Sequence, residues 1–413
     1  MIKEHKIEIL NEKFEKVEDN MNIYVYNCSN TFNYGSMMMG VNFISYFEKV
    51  SNGKNVYYVE TEDEINIQRL RYATGLDNIY STSLDSLFKK EFNKYDYIFS
   101  YLKLKNLTSD LIKKIDLVVV LGGDDYTEDY GWKVPLSKAI KFALLKREGL
   151  KVVMLGQTIG PFYSFRKKIM PKLFSKIDKI YAREPLTYNY LVNLGLKNIS
   201  IMDDLALLPL PKQEIQERTK EYITFCPSEL IYRYVKEGSR SEWIDFNLFI
   251  IDKIMKRYSE QKLVLLAHVL KPDNVDDRKL VNELYNLAST EYRDRILVED
   301  REIYPYQVRN YIQQSLFTIS SRMHPVVSSL QCEVPAIAFS YSTKYWGIIG
   351  ERYELEDYII DVRYMTYDEM KERFIVVLDK LDNEYDIVQQ KIKEKNELAR
   401  ENIIIALKEI TAL

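Results

Sequence analysis

Arg322, Met323 and His324 follow the apolar run LFTISS and precede Pro325. Only three histidines occur in 413 residues, so one placed beside an arginine at a strand mouth invites a chemical reading. If this stretch is extended, alternating residues put both side chains on one side of the strand end. Arg322 then holds a carboxylate or phosphate while His324 moves a proton near neutral pH. A neutral histidine that packs or hydrogen-bonds fits the same stretch.

The same placement recurs. Arg183 follows the apolar IYA and precedes Glu184–Pro185; it suits a planar anion, or a structural pair with Glu184 or another acid. His268 ends KLVLLAH, where it can meet phosphate, orient a substrate or pack. FSYSTKYWG brings Tyr341, Lys344 and Trp346 after a further strand; Lys344 can neutralise phosphate, and the rings can stack on sugar or close a core. LGGDDYTEDYGW places Asp124 and Asp125 beyond Gly122 and Gly123, with Glu128 and Asp129 extending the acidic patch. Asp124 or Asp125 can orient an acceptor hydroxyl or take its proton. Such carboxylates can also bind Mg²⁺ through waters, cap helices or face solvent. The lack of histidine and cysteine ligands there argues against a transition-metal site, and no metal site is expected. In GQTIGPFYSFRKK, Gln157 and Thr158 can bond a carbohydrate, and Arg166, Lys167 and Lys168 can solvate a helix. In NTFNYGSMMMG, Asn33 can orient a sugar hydroxyl or cap a helix, Gly35 permits a tight turn, and Ser36 can meet a phosphate. Neither a three-glycine dinucleotide fingerprint nor a GxxxxGK loop is present, which disfavours NAD and P-loop nucleotide chemistry.

These residues sit at the ends of alternating strands and helices. NIYVY (22–26), NVYYVE (55–60), YDYIFSY (95–101), DLVVVLGG (116–123), KVVMLG (151–156), KIDKIYARE (176–184) and NISIMDD (198–204) predict strands, with a helix over 37–50. LPLPKQEIQERTKE, residues 208–221, is the expected linker. A second series follows at 222–229, 262–269, 295–300, 316–322, 335–341 and 357–362. The expected organisation is a first Rossmann-like unit over 1–207, the linker, a second over 222–364 and a helical extension over 365–413. That extension can return from the second unit to brace the first.

Hydrophobic residues are 46% of the chain, enough for two cores. Lys plus Arg number 58 against 61 Asp plus Glu, a net charge of −3 that disfavours a nonspecific nucleic-acid binder. Cys28, Cys226 and Cys332 are too scattered for a disulfide framework or a zinc site, and no early segment reads as a secretory signal. The expected location is the cytoplasm, with peripheral contact at the inner face of the membrane left open. Oligomeric state is not legible.

The ordered blocks NTFNYGS, VVVLGGDDYTEDYG, GQTIGP, YAREPLTYNYLVNLGLKNISIMDDLAL, the His268 strand and SSRMHPVVSSLQCEVPAIAFSYSTKYWG resemble the polysaccharide pyruvyl transferase family over most of residues 21–350. The resemblance implies a glycosyltransferase-B-like fold with a cleft between two Rossmann-like domains. It implies transfer of pyruvyl from phosphoenolpyruvate, without a cofactor, to a nucleotide- or lipid-linked sugar as a ketal during cell-surface glycan synthesis. Arg322 and His324 match the family's RLH-like segment, with Met323 for leucine. Arg183, His268 and Lys344 match its basic positions and, with Arg322, would hold the donor. Asn33, Ser36, Gln157 and Tyr341 would face the acceptor. Two departures are Ser36, where many relatives carry Asp, and Asp124, which interrupts a common triple glycine. They leave a nucleotide-sugar glycosyltransferase and a noncatalytic carbohydrate-binding protein as alternatives. Donor binding is expected to draw the two domains together over the 208–221 linker.

Overall fold

A computed structural model describes residues 20–83, 110–128, 131–236 and 238–413. The strand expected at 95–101 and the acidic residue Asp129 lie outside the described residues.

The first unit is a seven-stranded parallel sheet in the order β3-β2-β1-β4-β5-β6-β7. Its strands are β1 (Asn22–Tyr26), β2 (Val56–Glu60), β3 (Ile79–Thr82), β4 (Leu117–Tyr126), β5 (Lys151–Ile159), β6 (Lys179–Ala182) and β7 (Ile199–Ile201). The connecting helices include α1 (Tyr34–Ser51), α2 (Glu64–Thr74), α3 (Lys133–Arg147), α4 (Arg166–Phe174) and α5 (Pro185–Asn193). Alternation decides the two faces of the sheet. Ile23, Val25, Val119, Leu121, Val153 and Leu155 join one apolar cluster; Tyr24, Tyr26, Val118, Val120, Val152 and Met154 join the other. Both faces are covered, which is why these strands read as unbroken apolar runs.

The second unit is a six-stranded parallel sheet in the order β10-β9-β8-β11-β12-β13. It comprises β8 (Tyr222–Cys226), β9 (Lys262–Leu266), β10 (Ile296–Glu299), β11 (Ser315–Ser320), β12 (Ala336–Ser340) and β13 (Ile359–Asp361). Its helices include α6 (Arg240–Arg257), α7 (Asp277–Leu287), α8 (Pro305–Gln313) and α9 (Met323–Gln331). Each sheet reverses strand order once, between β1 and β4 and between β8 and β11. In open parallel sheets the crevice outside such a reversal is where ligands are held.

The two units touch along a broad front. Asn33 and Val269 form an antiparallel bridge, Leu270 N–H donates to Phe32 O (2.9 Å), and Arg69 Nη2 donates to Ile303 O (2.7 Å). The chain between β7 and β8 is pinned rather than free. Buried Arg309 on α8 donates to the carbonyls of Ala206 and Leu208 and to Gln213 Oε1, and Arg218 donates to the carbonyls of Glu333 and Ser315. A final helix, α10 (Tyr367–Thr411), begins with a Thr366–Glu369 capping box and extends 45 residues, about 68 Å at ~1.5 Å per residue. Near its start Phe374 stacks on Phe339 of the second sheet. Near its end Asn402 donates to Asp203 Oδ2 (3.0 Å), and Glu409 accepts from Tyr181 O–H (2.7 Å) in the first unit. The helix therefore straps one unit to the other.

Three local features differ from the sequence reading. β4 and β5 continue past their apolar runs to Tyr126 and Ile159, so Asp124 and Asp125 sit on β4 itself. The cause is glycine: a Cβ on Gly122 would lie 2.2 Å from Gly156 O, so only glycine lets the strands run that close. The edge strand β3 went unanticipated because IYST has one buried residue and little apolar signal. Arg322 is extended, but Met323 already begins α9, so His324 stands in the first turn of a helix rather than on a strand.

Candidate active site

A cleft of about 360 Å³ opens at the carboxyl ends of β1 and β4 from the first sheet and beyond β9, β11 and β12 from the second. Asn33, Ser36, Asp124, Asp125, His268, Arg322, His324, Tyr341 and Lys344 all line it. Sequence reasoning placed these nine in one site, and the two strand-order reversals bring them together. Gln157 and Arg183 do not line it. Gln157 is wholly buried, and its Nε2 donates to Val120 O (2.9 Å) and Leu121 O (2.7 Å), holding β4 to β5.

His324 is the centre of the arrangement. Gly35, in the first turn of α1, presses against it: a Cβ there would fall 2.2 Å from His324 Nδ1. Gly35 is thus required by close approach, not by the turn geometry that its position suggested. On the other side His324 Nε2 lies 3.9 Å from Asp204 Oδ2 and, though buried, makes no hydrogen bond among the described residues. Burial pushes the imidazole down to about 4; the Asp204 carboxylate opposes that shift, and the charges of Arg183 and Lys344 add to it. The helix N-terminus also disfavours a cation there. At neutral pH His324 is therefore an uncharged ring with an unmet nitrogen, chemically a base.

Asp204 was not singled out from the sequence, although an aspartate pair after a strand repeats the Asp124–Asp125 pattern. It is fully buried, accepts from Ala206 N–H (2.9 Å) and pairs with Arg183 Nη1 (3.0 Å). Burial works against its carboxylate, but the charge His324 gains in acid, the Arg183 guanidinium and the Ala206 amide hold it below its ordinary range. Arg183 Nε donates to Thr158 Oγ1 (2.8 Å), while its buried Nη2 has no partner among the described residues. Arg183 therefore acts on the cleft through Asp204 and His324.

Arg322 is committed as well. Its Nε and Nη2 donate to the two Asp277 oxygens (3.1 and 2.7 Å), and Nη2 also reaches Val275 O (2.9 Å). Asp277, buried at the start of α7, further accepts from Val269 N–H (2.9 Å) and Glu229 N–H (3.1 Å). The guanidinium fork that could have clamped an anion is thus filled by Asp277. Among the described residues Nη1 makes no hydrogen bond, so Arg322 offers the cleft a positive edge.

Lys344 bridges the units: its Nζ lies 2.9 Å from Asp124 Oδ2 and 3.4 Å from the Tyr341 hydroxyl. Burial disfavours the ammonium, but Asp124 outweighs it and the net direction is upward. The Tyr341 ring stacks on Tyr234, 4.9 Å between centroids. Asp125 is held on both oxygens, by Asn27 Nδ2 (2.7 Å) and Lys138 Nζ (3.0 Å). Asn33 caps α1, its side chain accepting from Gly35 N–H (3.2 Å) and Ser36 N–H (3.4 Å). His268 packs edge-on against Tyr34, and its buried Nε2 has no partner among the described residues. Burial, then the charges of His324, Arg322 and Arg309, hold it neutral. Glu128 does not join an acidic patch at the cleft; it is buried against Arg166. Among the described residues no three His, Cys, Asp or Glu side chains converge as a metal site would.

Comparisons with known proteins bear on the family and the fold. The chain matches the polysaccharide pyruvyl transferase family model over residues 33–343. It is 20% identical over 268 residues to the amylovoran biosynthesis protein AmsJ of Erwinia amylovora, a match spanning 59% of this chain and 61% of that protein. Among solved structures, the UDP-GlcNAc 2-epimerase of Neisseria meningitidis superposes with a TM-score of 0.58 at 12% identity, covering 94% of this chain and 99% of the epimerase. A second UDP-N-acetylglucosamine 2-epimerase gives 0.59 at 12% identity, covering 96% and 98%. At such identities the likeness is one of fold: two Rossmann-like units in a glycosyltransferase-B-like arrangement. With three quarters of its length matched, the chain belongs to the polysaccharide pyruvyl transferase family.

Proposed function

We propose that this member of a transferase family moves pyruvyl from phosphoenolpyruvate to two hydroxyls of a sugar, forming a ketal and releasing phosphate. The observation that carries the reading is the neutral His324, its Nε2 unmet, in a cleft whose rim offers Lys344 and Arg322 as cations. Family membership supports the donor.

In this reading the donor's phosphate takes Lys344 Nζ from Asp124, and its carboxylate meets the free edge of Arg322. His324 accepts the proton of the first acceptor hydroxyl, whose oxygen bonds to the enol carbon. The same proton passes to the donor's methylene, which becomes a methyl group. The carbon–oxygen bond to phosphate then breaks, and the electron pair leaves with phosphate. The second hydroxyl adds to that carbon and gives its proton to Asp124 or to the departing phosphate. Asp124 suits this role because its carboxylate pairs with Lys344, which holds the phosphate in this reading. While His324 carries a proton, the Asp204 carboxylate, fixed by Arg183, opposes the new positive charge.

A donor panel tests the proposal. Phosphoenolpyruvate with lipid- or nucleotide-linked sugars should release phosphate in step with a ketal product, and His324→Gln should slow turnover ~10²–10⁴-fold in a folded protein. Release of a nucleotide from a nucleotide sugar, with a new glycosidic bond, would replace the reading with glycosyl transfer. Glycan binding without conversion across the panel would replace it with recognition alone.

A further inference from the structure

The loop after β5 and helix α4 carry a surface that the cleft chemistry does not use. Residues 160–177 contain Arg166, Lys167, Lys168, Lys172 and Lys176 and no acidic residue, in a chain whose net charge is −3. Met170, Leu173 and Phe174 bury one face of α4. The opposite face is exposed and mixed. Phe165 and Ile169, four apart, make an apolar row beside Lys168 and Lys172, also four apart. Phe165 and Tyr163 are each 51% exposed, and Trp132 and Val134 at the start of α3 are 38% and 59% exposed. The patch is contiguous: the Trp132 and Phe165 rings meet at 6.2 Å, and the Arg166 guanidinium lies 5.0 Å from one centroid and 5.2 Å from the other.

This surface is built, not loose. Buried Glu128 accepts from Tyr163 N–H (3.2 Å), Arg166 Nε (2.6 Å) and Arg166 Nη2 (2.8 Å), so one carboxylate fixes the loop and neutralises the arginine beneath the rings. Lys133, Lys167, Lys168 and Lys172 remain as exposed charges, none with an ion pair among the described residues. Rigid exposed rings ringed by unpaired lysines match the interfacial zone of a bilayer, where aromatic side chains sit at headgroup depth and lysines meet anionic lipid. No described helix is long and apolar enough to cross a membrane, so the contact would be peripheral.

We infer that this face docks the protein on an anionic lipid bilayer. The docking face stands beside the acceptor side of the cleft. Loop 160–165 leaves the carboxyl end of β5, which pairs with the Asp124-bearing end of β4, and Glu128 follows Asp124 by four residues. Resting on the transfer reading above, docking deepens it: the acceptor sugar is presented from a lipid in that bilayer rather than from a soluble nucleotide.

Vesicle co-sedimentation of the full chain needs no turnover, so its outcome is independent of the donor assignment. Phosphatidylcholine vesicles carrying about 30% phosphatidylglycerol should bind the protein, and pure phosphatidylcholine vesicles should not. Binding should fade in about 0.5 M salt. Lys167→Gln with Lys168→Gln should weaken it about 25-fold, roughly fivefold per lysine. Phe165→Ser should weaken it about tenfold at unchanged charge. All three side chains are exposed, so the variants should keep the native thermal midpoint; if Phe165→Ser unfolds, the lysine pair decides. Equal partitioning onto neutral and anionic vesicles, or native binding by the folded lysine variant, overturns the inference. So does tighter binding to a short oligonucleotide than to vesicles, or a dimer in solution that Phe165→Ser dissolves.

Discussion

Gly35→Ala isolates the position of His324 from its chemistry. The substitution adds one methyl group whose carbon would stand 2.2 Å from His324 Nδ1 and 2.4 Å from Cγ. Ordinary contact begins near 3.4 Å, so the ring must retreat by the difference, about 1.2 Å. The backbone at Gly35 is right-handed and helical, so alanine fits the chain and gains ~1 kcal/mol of helix propensity. That gain offsets part of the ~1–3 kcal/mol that overpacking costs. The net change in stability should therefore stay within about 2 kcal/mol. Activity should respond far more, because a 1 Å misplacement of a reacting group costs ~10²-fold. The assay is continuous phosphate release at saturating phosphoenolpyruvate and sugar, beside a urea unfolding curve. The expected result is ~10²-fold lower kcat with a nearly native midpoint. Turnover within about threefold of native would mean that His324 is not the proton carrier, because its ring would be displaced without loss.

Three further outcomes follow from the geometry. His324 is held at about 4 against 6.5 when free, so the unfolded chain binds the extra proton; stability is complete above 6.5 and is lost as pH falls toward 4, by roughly 3 kcal/mol from this group, and His324→Gln should flatten that part of a pH–unfolding series. Asp204→Asn leaves Arg183 as a buried charge without its counterion and should destabilise by ~3–5 kcal/mol in thermal or urea unfolding, where a loss below about 1 kcal/mol would contradict the pairing. Asp124→Asn frees Lys344 for the donor, so KM for phosphoenolpyruvate should fall while kcat also falls; a raised KM would show that Asp124 does not compete with the donor.

Much of the fold was legible because both faces of each parallel sheet are covered. NIYVY marks its strand to the residue, whereas DLVVVLGG marks the start of a strand that runs three residues further, to Tyr126. Where the signal was packing between distant backbones it was silent: nothing local to Gly122 tells of Gly156 O, and β3 has a single buried side chain. The site was half legible. Residue type and strand-mouth position brought out Asp124, His268, Arg322, His324 and Lys344, because strand order converges those mouths on one crevice. Their partners were hidden. Asp277 and Asp204 meet Arg322 and His324 across 45 and 120 residues of sequence, and only the topology brings them there. That hidden pairing also changes the roles, since Arg322 spends its fork on Asp277 and Arg183 is tied to Asp204 and Thr158. Arg183 and Gln157 read as contact residues but support the cleft from behind. The linker's composition was plain, whereas its pinning by Arg309 depends on a helix about 100 residues away.

The fate of the enol carbon decides which reaction the cleft performs, and labelling that carbon follows it. Phosphoenolpyruvate labelled with carbon-13 at that carbon is turned over with a lipid-linked sugar acceptor, and the products are read by carbon-resolved NMR and intact mass. The label should appear as a quaternary ketal carbon bonded to two sugar oxygens, one for each phosphate released. Label recovered as free pyruvate at the same rate with and without sugar, with no ketal at any acceptor, would contradict pyruvyl transfer.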